Sequence, residues 1–206
     1  MKVLLINGSP HPAGCTYTAL SLIAGELNAA GIETEIIQAG TKPVGGCIAC
    51  GGCSKGNGCV FDGGVNEAIE KAKTADGFVF GSPVHYAAAS GNITGFLDRM
   101  FYAGGKYMAY KPAAVCCSAR RAGTTATLEQ LAKYPEINQM PLVSGSYWGM
   151  VHGSCPEDVL KDEEGCAVMK EIGRNMAWLL GCIEAGKAAD LAHPDNPPKP
   201  RTNFIR

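Results

Sequence analysis

The stretch Lys2-Val3-Leu4-Leu5-Ile6-Asn7-Gly8-Ser9-Pro10-His11-Pro12-Ala13-Gly14-Cys15-Thr16-Tyr17-Thr18 runs from a short apolar block through a loop into a helical pattern. An apolar block without polar alternation reads as a parallel strand buried on both faces, here Lys2 to Asn7. Glycine and proline then break the regular structure. Helical periodicity follows from Thr18 to Ala30 and stops at Gly31. Strand, loop and helix in this order form the first half of a βαβ unit.

The same alternation continues along the chain. Strands are expected over Glu33–Gln38, Asp76–Gly81, Ala113–Ser118 and Met140–Ser144. Helices are expected over Val65–Thr74, Ile93–Phe101, Gly123–Lys133 and Glu157–Glu184, the last with a break near Gly165. Strands alternating with helices predict an α/β fold: a three-layer, doubly wound, five-stranded parallel sheet of order 2-1-3-4-5. Residues 1–191 read as one domain, with a cysteine-rich insertion at 43–61 after the second strand, near the mouth of the ligand crevice. Residues 192–206 read as an extended, proline-rich tail.

The chain has 206 residues, enough for a sizeable core, and is 46% hydrophobic and 18% charged. A net charge of −1 gives no reason to expect nucleic acid or an anionic membrane surface as partner. The apolar start is too short for a signal peptide, and no run is long enough to span a bilayer. A soluble, cytoplasmic protein is therefore expected.

Ten cysteines are present, and four are bunched as Cys47-x2-Cys50-x2-Cys53-x5-Cys59. In a cytosolic chain such bunching favours metal or redox chemistry over a disulfide framework. Four soft ligands in so short a span suit a 4Fe-4S cluster. Thiols retained without a cluster, a structural zinc and a disulfide are the alternatives. Glycines 51, 52, 56 and 58 leave backbone amides free to point at sulfur. Cys116 and Cys117, inside a strand, are expected to be inert core thiols.

Three loops follow strands at the sheet end where such folds bind ligands. The first, Asn7 to Thr18, opens a helix, where free amides and the macrodipole favour phosphate. Ser9, Thr16 and Thr18 add hydroxyls, and His11 adds charge when protonated. The loop is neither G-x-G-x-x-G nor Walker A. An alternative is a turn with Thr16 acting only as helix cap. The second, Gly81-Ser82-Pro83-Val84-His85-Tyr86, offers a proline-fixed backbone and two rings to stack or meet an edge. The third, Ser118-Ala119-Arg120-Arg121, places two arginines where an anion would sit, or where they would simply be solvated. Farther on, Tyr147 and Trp148 with His152 are candidates to roof a flat ligand, or else core or interface residues.

Together these residues resemble the flavodoxin-like NAD(P)H-dependent FMN reductase superfamily over roughly residues 1–155. The signatures are Gly8-Ser9-Pro10 with Gly14-Cys15-Thr16, then Gly81-Ser82-Pro83-Val84-His85-Tyr86, then Phe96-Leu97-Asp98-Arg99. The cysteine segment is similar to the compact motif of the iron–sulfur flavoprotein branch. The resemblance implies that Ser9, His11, Cys15, Thr16 and Tyr17 hold the FMN phosphate. It implies that Ser82, Pro83, Val84, His85 and Tyr86 hold the isoalloxazine. The chain departs from the family at His11, where arginine is usual, at Cys15, where asparagine is usual, and at His85, where tyrosine is usual. Loss of fixed charge at position 11 predicts weaker or pH-dependent phosphate binding. Asp62-Gly63-Gly64 stands where the family tends to have paired acids.

The implied function is an FMN-dependent oxidoreductase that takes a hydride from NAD(P)H and reduces a quinone, flavin or similar acceptor. The flavin carries the chemistry, so no catalytic side chain is expected. A second reading is an iron–sulfur flavoprotein electron carrier fed by ferredoxin; a third is a non-catalytic flavin-binding sensor. A carrier is usually strongly acidic, which this chain is not. The resemblance also implies a homodimer or homotetramer.

Overall fold

The computed structural model describes residues 1–200 and 202. The elements run β1 (Lys2–Asn7), α1 (Cys15–Ala29), β2 (Glu33–Gln38), α2 (Val65–Thr74), β3 (Gly77–His85), β4 (Ala88–Ala89), α3 (Gly91–Gly104), β5 (Ala113–Ala119), α4 (Thr124–Ile137), β6 (Met150–His152), α5 (Pro156–Val159) and α6 (Glu163–Ala188). The parallel strands lie in the order β2-β1-β3-β5-β6, the doubly wound arrangement expected from the alternation. This is the flavodoxin-like fold. The only antiparallel addition among the described strands is β4, which folds back on the end of β3.

The apolar block of β1 explains the layers. Val3 and Leu5 point to one face, and Leu4 and Ile6 to the other, because side chains alternate along a strand. Val3, Leu5 and Val79 pack with Leu20, Ile23 and Leu27 of α1 and with Met169, Ile172 and Met176 of α6. Leu4, Ile6, Phe78 and Phe80 pack with Ile69 of α2 and with Ile93, Phe96 and Met100 of α3. All four β1 side chains are fully buried.

One expectation needs correction and another a small shift. The fifth strand is Met150–His152, not Met140–Ser144. The earlier segment touches β5 through a single bridge, in which Ala113 N–H donates to Pro141 O (2.9 Å) and Val143 N–H donates to Ala113 O (2.8 Å). The chain then swings out, held to α6 by Glu171, whose carboxylate accepts from Ser146 N–H (2.7 Å) and Oγ–H (2.6 Å). It returns at Gly149, where a side chain would stand 2.5 Å from Val115 O. The C-terminal helix is also two helices, and the break expected near Gly165 falls just before it, at Leu160–Asp162. Asp162 caps α6 by accepting from Gly165 N–H (2.9 Å), and a Cβ at 165 would meet that carboxylate at 2.4 Å. The glycine marks the cap, not the break.

Of the tail, residues 192–200 have no regular structure and are exposed. His193 stacks on Tyr110 (4.8 Å between centroids), and Asn196 Nδ2 donates to the Tyr110 hydroxyl (2.8 Å). Residue 201 and residues 203–206 lie outside the described residues. No described helix is long and apolar enough to cross a membrane.

Candidate functional site

The loop between β1 and α1 is built by turning its carbonyls inward. Ser90 Oγ–H donates to Gly8 O (2.8 Å), and Gln38 Nε2 donates to Ser9 O (2.6 Å). Gln38 is itself oriented by Asn7 Nδ2 (2.7 Å), and Asn7 Oδ1 accepts from Ser9 N–H (3.1 Å). Gly40 lies directly under the loop, where a Cβ would stand 2.2 Å from Ser9 O. With the carbonyls occupied, the amides of the first turn of α1 remain. Cys15, Thr16 and Tyr17 have no intrahelical acceptor. No side chain caps this helix, and its first turn holds no acidic residue. This is a donor set without a native partner, aimed where the helix dipole favours an anion. It fits a phosphate, and the alternative that Thr16 caps the helix does not describe it.

Ser9, His11, Cys15 and Thr16 share a cleft of about 320 Å³ with Pro83, Val84 and His85 from the end of β3. Ser118 near the end of β5, Arg120 just after it, and Gly153 and Ser154 after β6 close its far side. The Thr16 and Ser118 hydroxyls are 2.8 Å apart and buried. Burial pushes the Cys15 thiol up, and the nearby Asp158 and Glu157 carboxylates add to the effect. The neutral thiol donates to Gly153 O at 3.6 Å, so it adds no negative charge to the cradle.

Four nominated residues do not line this cleft. Tyr17 lies on α1 with its ring partly exposed. Ser82 is fully buried; its hydroxyl donates to Pro83 O (2.8 Å) and accepts from Ser90 N–H (2.9 Å), so it braces the second loop from behind. Tyr86 is fully exposed at the tip of the β3–β4 hairpin. Arg121 is exposed beside the cleft. Tyr86 (φ 51°) and Ala87 (φ 59°) are both left-handed, the backbone a two-residue hairpin needs but that asparagine and glycine normally supply. Tyr147 and Trp148 do not roof the cleft of their own chain. Their rings meet edge to face (4.7 Å) beside a groove of about 470 Å³ between α4 and α6.

The cysteine segment begins at the cleft and descends along α3. Val44 N–H donates to Asn92 Oδ1 (3.2 Å), near the start of that helix. Gly95 lets the backbone approach, since a Cβ there would be 2.9 Å from Val44 O. The four thiols then gather around the far half of α3. Cys47, Cys50, Cys53 and Cys59 line one cavity of about 130 Å³, walled by Val60, Phe61, Arg99 and Tyr102. They lie deeper along α3 than a position at the cleft mouth.

Left-handed glycines at 51, 56 and 58 (φ 70°, 82° and 77°) curl the segment back on itself. Asn66 of α2 clamps its end: its Oδ1 accepts from Cys59 N–H (2.8 Å) and its Nδ2 donates to Cys59 O (2.9 Å). Donors reach sulfur at both ends of the segment. Ala49 N–H points at Cys47 Sγ (3.4 Å) and Arg99 Nε at Cys59 Sγ (3.2 Å). Burial pushes the Cys59 thiol up. The Arg99 hydrogen bond and the Phe61 and Val60 amides outweigh that and hold it below its ordinary value. Among the described residues no three His, Cys, Asp or Glu side chains converge tightly enough for one metal ion.

The braces of both sites escape a motif search. Asn7 and Gln38 are polar residues at strand ends, and that position was their one signal. Asn66 carries no local pattern, and the Phe96-Leu97-Asp98-Arg99 signature gives no hint that Arg99 reaches the cysteine segment, since each does so from a helix.

Residues 1–154 match the family described as NADPH-dependent FMN reductase. An iron–sulfur flavoprotein of Methanocaldococcus jannaschii is 30% identical over 192 residues, covering 89% of this chain and all of that protein. An iron–sulfur flavoprotein of Methanosarcina thermophila is 24% identical, covering 91% of this chain and 99% of its own. Among solved structures, RosB with a bound flavin-derived intermediate superposes with a TM-score of 0.70 at 13% identity, covering all of this chain and 92% of its own. An archaeal flavodoxin superposes with a TM-score of 0.60 at 13% identity over 88% of this chain and 99% of its own. The last two speak for the fold alone. The chain belongs to the NADPH-dependent FMN reductase family and is a flavin-dependent oxidoreductase.

Proposed function

We propose that the protein binds FMN in the cleft at the head of α1, takes electrons from NAD(P)H, and delivers them to a quinone, flavin or similar acceptor. The observation that carries this reading is the uncapped first turn of α1, whose free amides face a cleft walled by Pro83, Val84 and His85. The Cys15, Thr16 and Tyr17 amides with the Ser9 and Thr16 hydroxyls hold the phosphate. Pro83, Val84 and His85 form the wall for the flat ring. Arg120 is the cation for a phosphate of the incoming nucleotide, with Arg121 beside it. When bound, FMN supplies the hydride and electron transfer, and no protein acid, base or nucleophile is required.

A second reading, in which the protein exchanges single electrons with a carrier such as ferredoxin, is favoured by the four thiols around one cavity. Cys47, Cys50, Cys53 and Cys59 would hold a 4Fe-4S cluster, which supplies one-electron exchange when bound. All ten cysteines are unpaired, which supports a reducing compartment such as the cytoplasm. Exposed Tyr86, Tyr147 and Trp148 support a homodimer or homotetramer in which a neighbour completes the flavin cover.

Anaerobic purification followed by an absorption spectrum with iron and sulfide analysis tests the cofactors. Flavin bands without iron would leave the first reading and remove the second. Stopped-flow reduction by NADPH and by reduced ferredoxin then separates them. No reduction by either nicotinamide, with rapid reduction by ferredoxin, would sink the first.

A further inference from the structure

Arg99 on α3 is 4% exposed, yet none of its partners among the described residues is a carboxylate. The adjacent Asp98 is engaged elsewhere, accepting from the Tyr134 hydroxyl at 2.6 Å. Asp62 offers Arg99 its backbone carbonyl, not its side chain. The guanidinium donates to Gly45 O (3.5 Å), Phe61 O, Asp62 O and Cys59 Sγ (3.2 Å). The Phe61 ring covers it at 5.9 Å. A buried cation with only neutral carbonyls around it is costly, and burying a charge is sustained when an opposite charge is close. Arg99 helps to wall the cavity lined by the four cysteines, which places it beside any negative charge held there.

The placement of these bonds matters as much as the charge. Gly45 precedes the first cysteine of the segment and Phe61 and Asp62 follow the last. One guanidinium therefore ties both ends of the cysteine segment together and reaches a ligand sulfur between them. Lysine offers a charge but no planar fork that could serve these directions at once.

Resting on the proposal that the four thiols hold a 4Fe-4S cluster, we propose that Arg99 is the positioning residue and counter-ion of that centre. A cluster held by four thiolates is anionic and gains one further negative charge on reduction. A fixed cation with an N–H on one ligand sulfur stabilises the reduced form more than the oxidised form, and so raises the potential.

The test compares the wild-type protein with Arg99→Gln and Arg99→Lys, all purified anaerobically with FMN bound. Iron, sulfide and FMN are quantified, and dithionite titrations followed by EPR give the cluster potential. In Arg99→Gln the reduced-to-oxidised ratio at a fixed ambient potential falls at least tenfold, which is about 59 mV for one electron. Arg99→Lys recovers part of that loss. Loss of iron from the glutamine variant alone, with FMN retained, also supports the charge role. An unchanged potential in Arg99→Gln, equal shifts in both variants, or equal loss of iron from both overturns it. A wild-type protein that holds FMN but no iron overturns the cluster reading first, and the role of Arg99 falls with it.

Discussion

Substituting Gly40 by alanine tests whether the inward-turned carbonyls create the phosphate cradle. Gly40 has no unusual φ; what it provides is room. An added Cβ would sit 2.2 Å from Ser9 O, 2.4 Å from Ser9 C and 2.5 Å from Gly8 O. These are backbone atoms and cannot rotate away. Restoring ordinary van der Waals contact requires the loop and the residue beneath it to part by about 1 Å. The Gln38 bond to Ser9 O is then lost, and the amides at positions 15–17 no longer converge on one point. Losing one hydrogen bond to a charged group costs roughly 1.5–3 kcal/mol. The Kd for FMN is therefore expected to rise about tenfold to a hundredfold. Titration of apoprotein with FMN, followed by quenching of flavin fluorescence, measures this directly. Thermal melting of the apoprotein shows that the variant is folded. Gln38→Ala, which removes the same brace without a clash, should weaken binding in the same direction by a smaller factor. A folded Gly40→Ala protein that binds FMN within twofold of wild type would refute the reasoning.

Other outcomes follow from local physics. The Lys2 and Lys71 ammonium groups hold Glu35 below the usual carboxylate value of 4.5, so its contribution to stability is present above that value. It is lost as pH falls through the depressed pKa, so the melting-temperature gap between wild type and Glu35→Gln closes in that acid window. Burial pushes the Cys117 thiol up to about 12 and Cys116 higher still, so iodoacetamide with peptide mapping should leave both unmodified until the protein unfolds. Gly25 is exposed inside α1, and an added Cβ meets nothing within 4 Å; Gly25→Ala should stabilise the protein by about 0.5–1 kcal/mol in urea unfolding.

The sheet order was legible because β1, β3 and β5 are apolar on both faces, and only a parallel sheet under two helical layers asks for that. The last strand was not. Met140 to Ser144 has a good strand pattern, whereas Met150–His152 is only three residues long and is defined by its register with Cys117–Ala119. Which one pairs depends on where Glu171 anchors the intervening loop, a contact distant in sequence. The same limit applies to the sites. Ser9, Thr16 and His85 belong to strand-end loops that announce themselves. Ser82 sits in the same motif but turns its hydroxyl inward, and only the contact with Ser90 reveals it.

Both candidate sites lean on one helix, and this bears on how they are held together. Ser90, the cap of α3, donates to Gly8 O in the phosphate loop. Arg99, on the same helix, holds the cysteine segment by its two ends and by Cys59. At 1.5 Å per residue these two anchors are about 14 Å apart along the axis. The spacing is set by hydrogen bonds inside α3, not by the glycine-rich backbone that carries the cysteines. The segment between Gly45 and Phe61 can therefore change length without moving the point on α3 to which it is tied. A rigid element sets the distance between the sites, and an adaptable loop wraps the thiols, so the geometry that would govern electron exchange within one chain does not depend on the most irregular part of it.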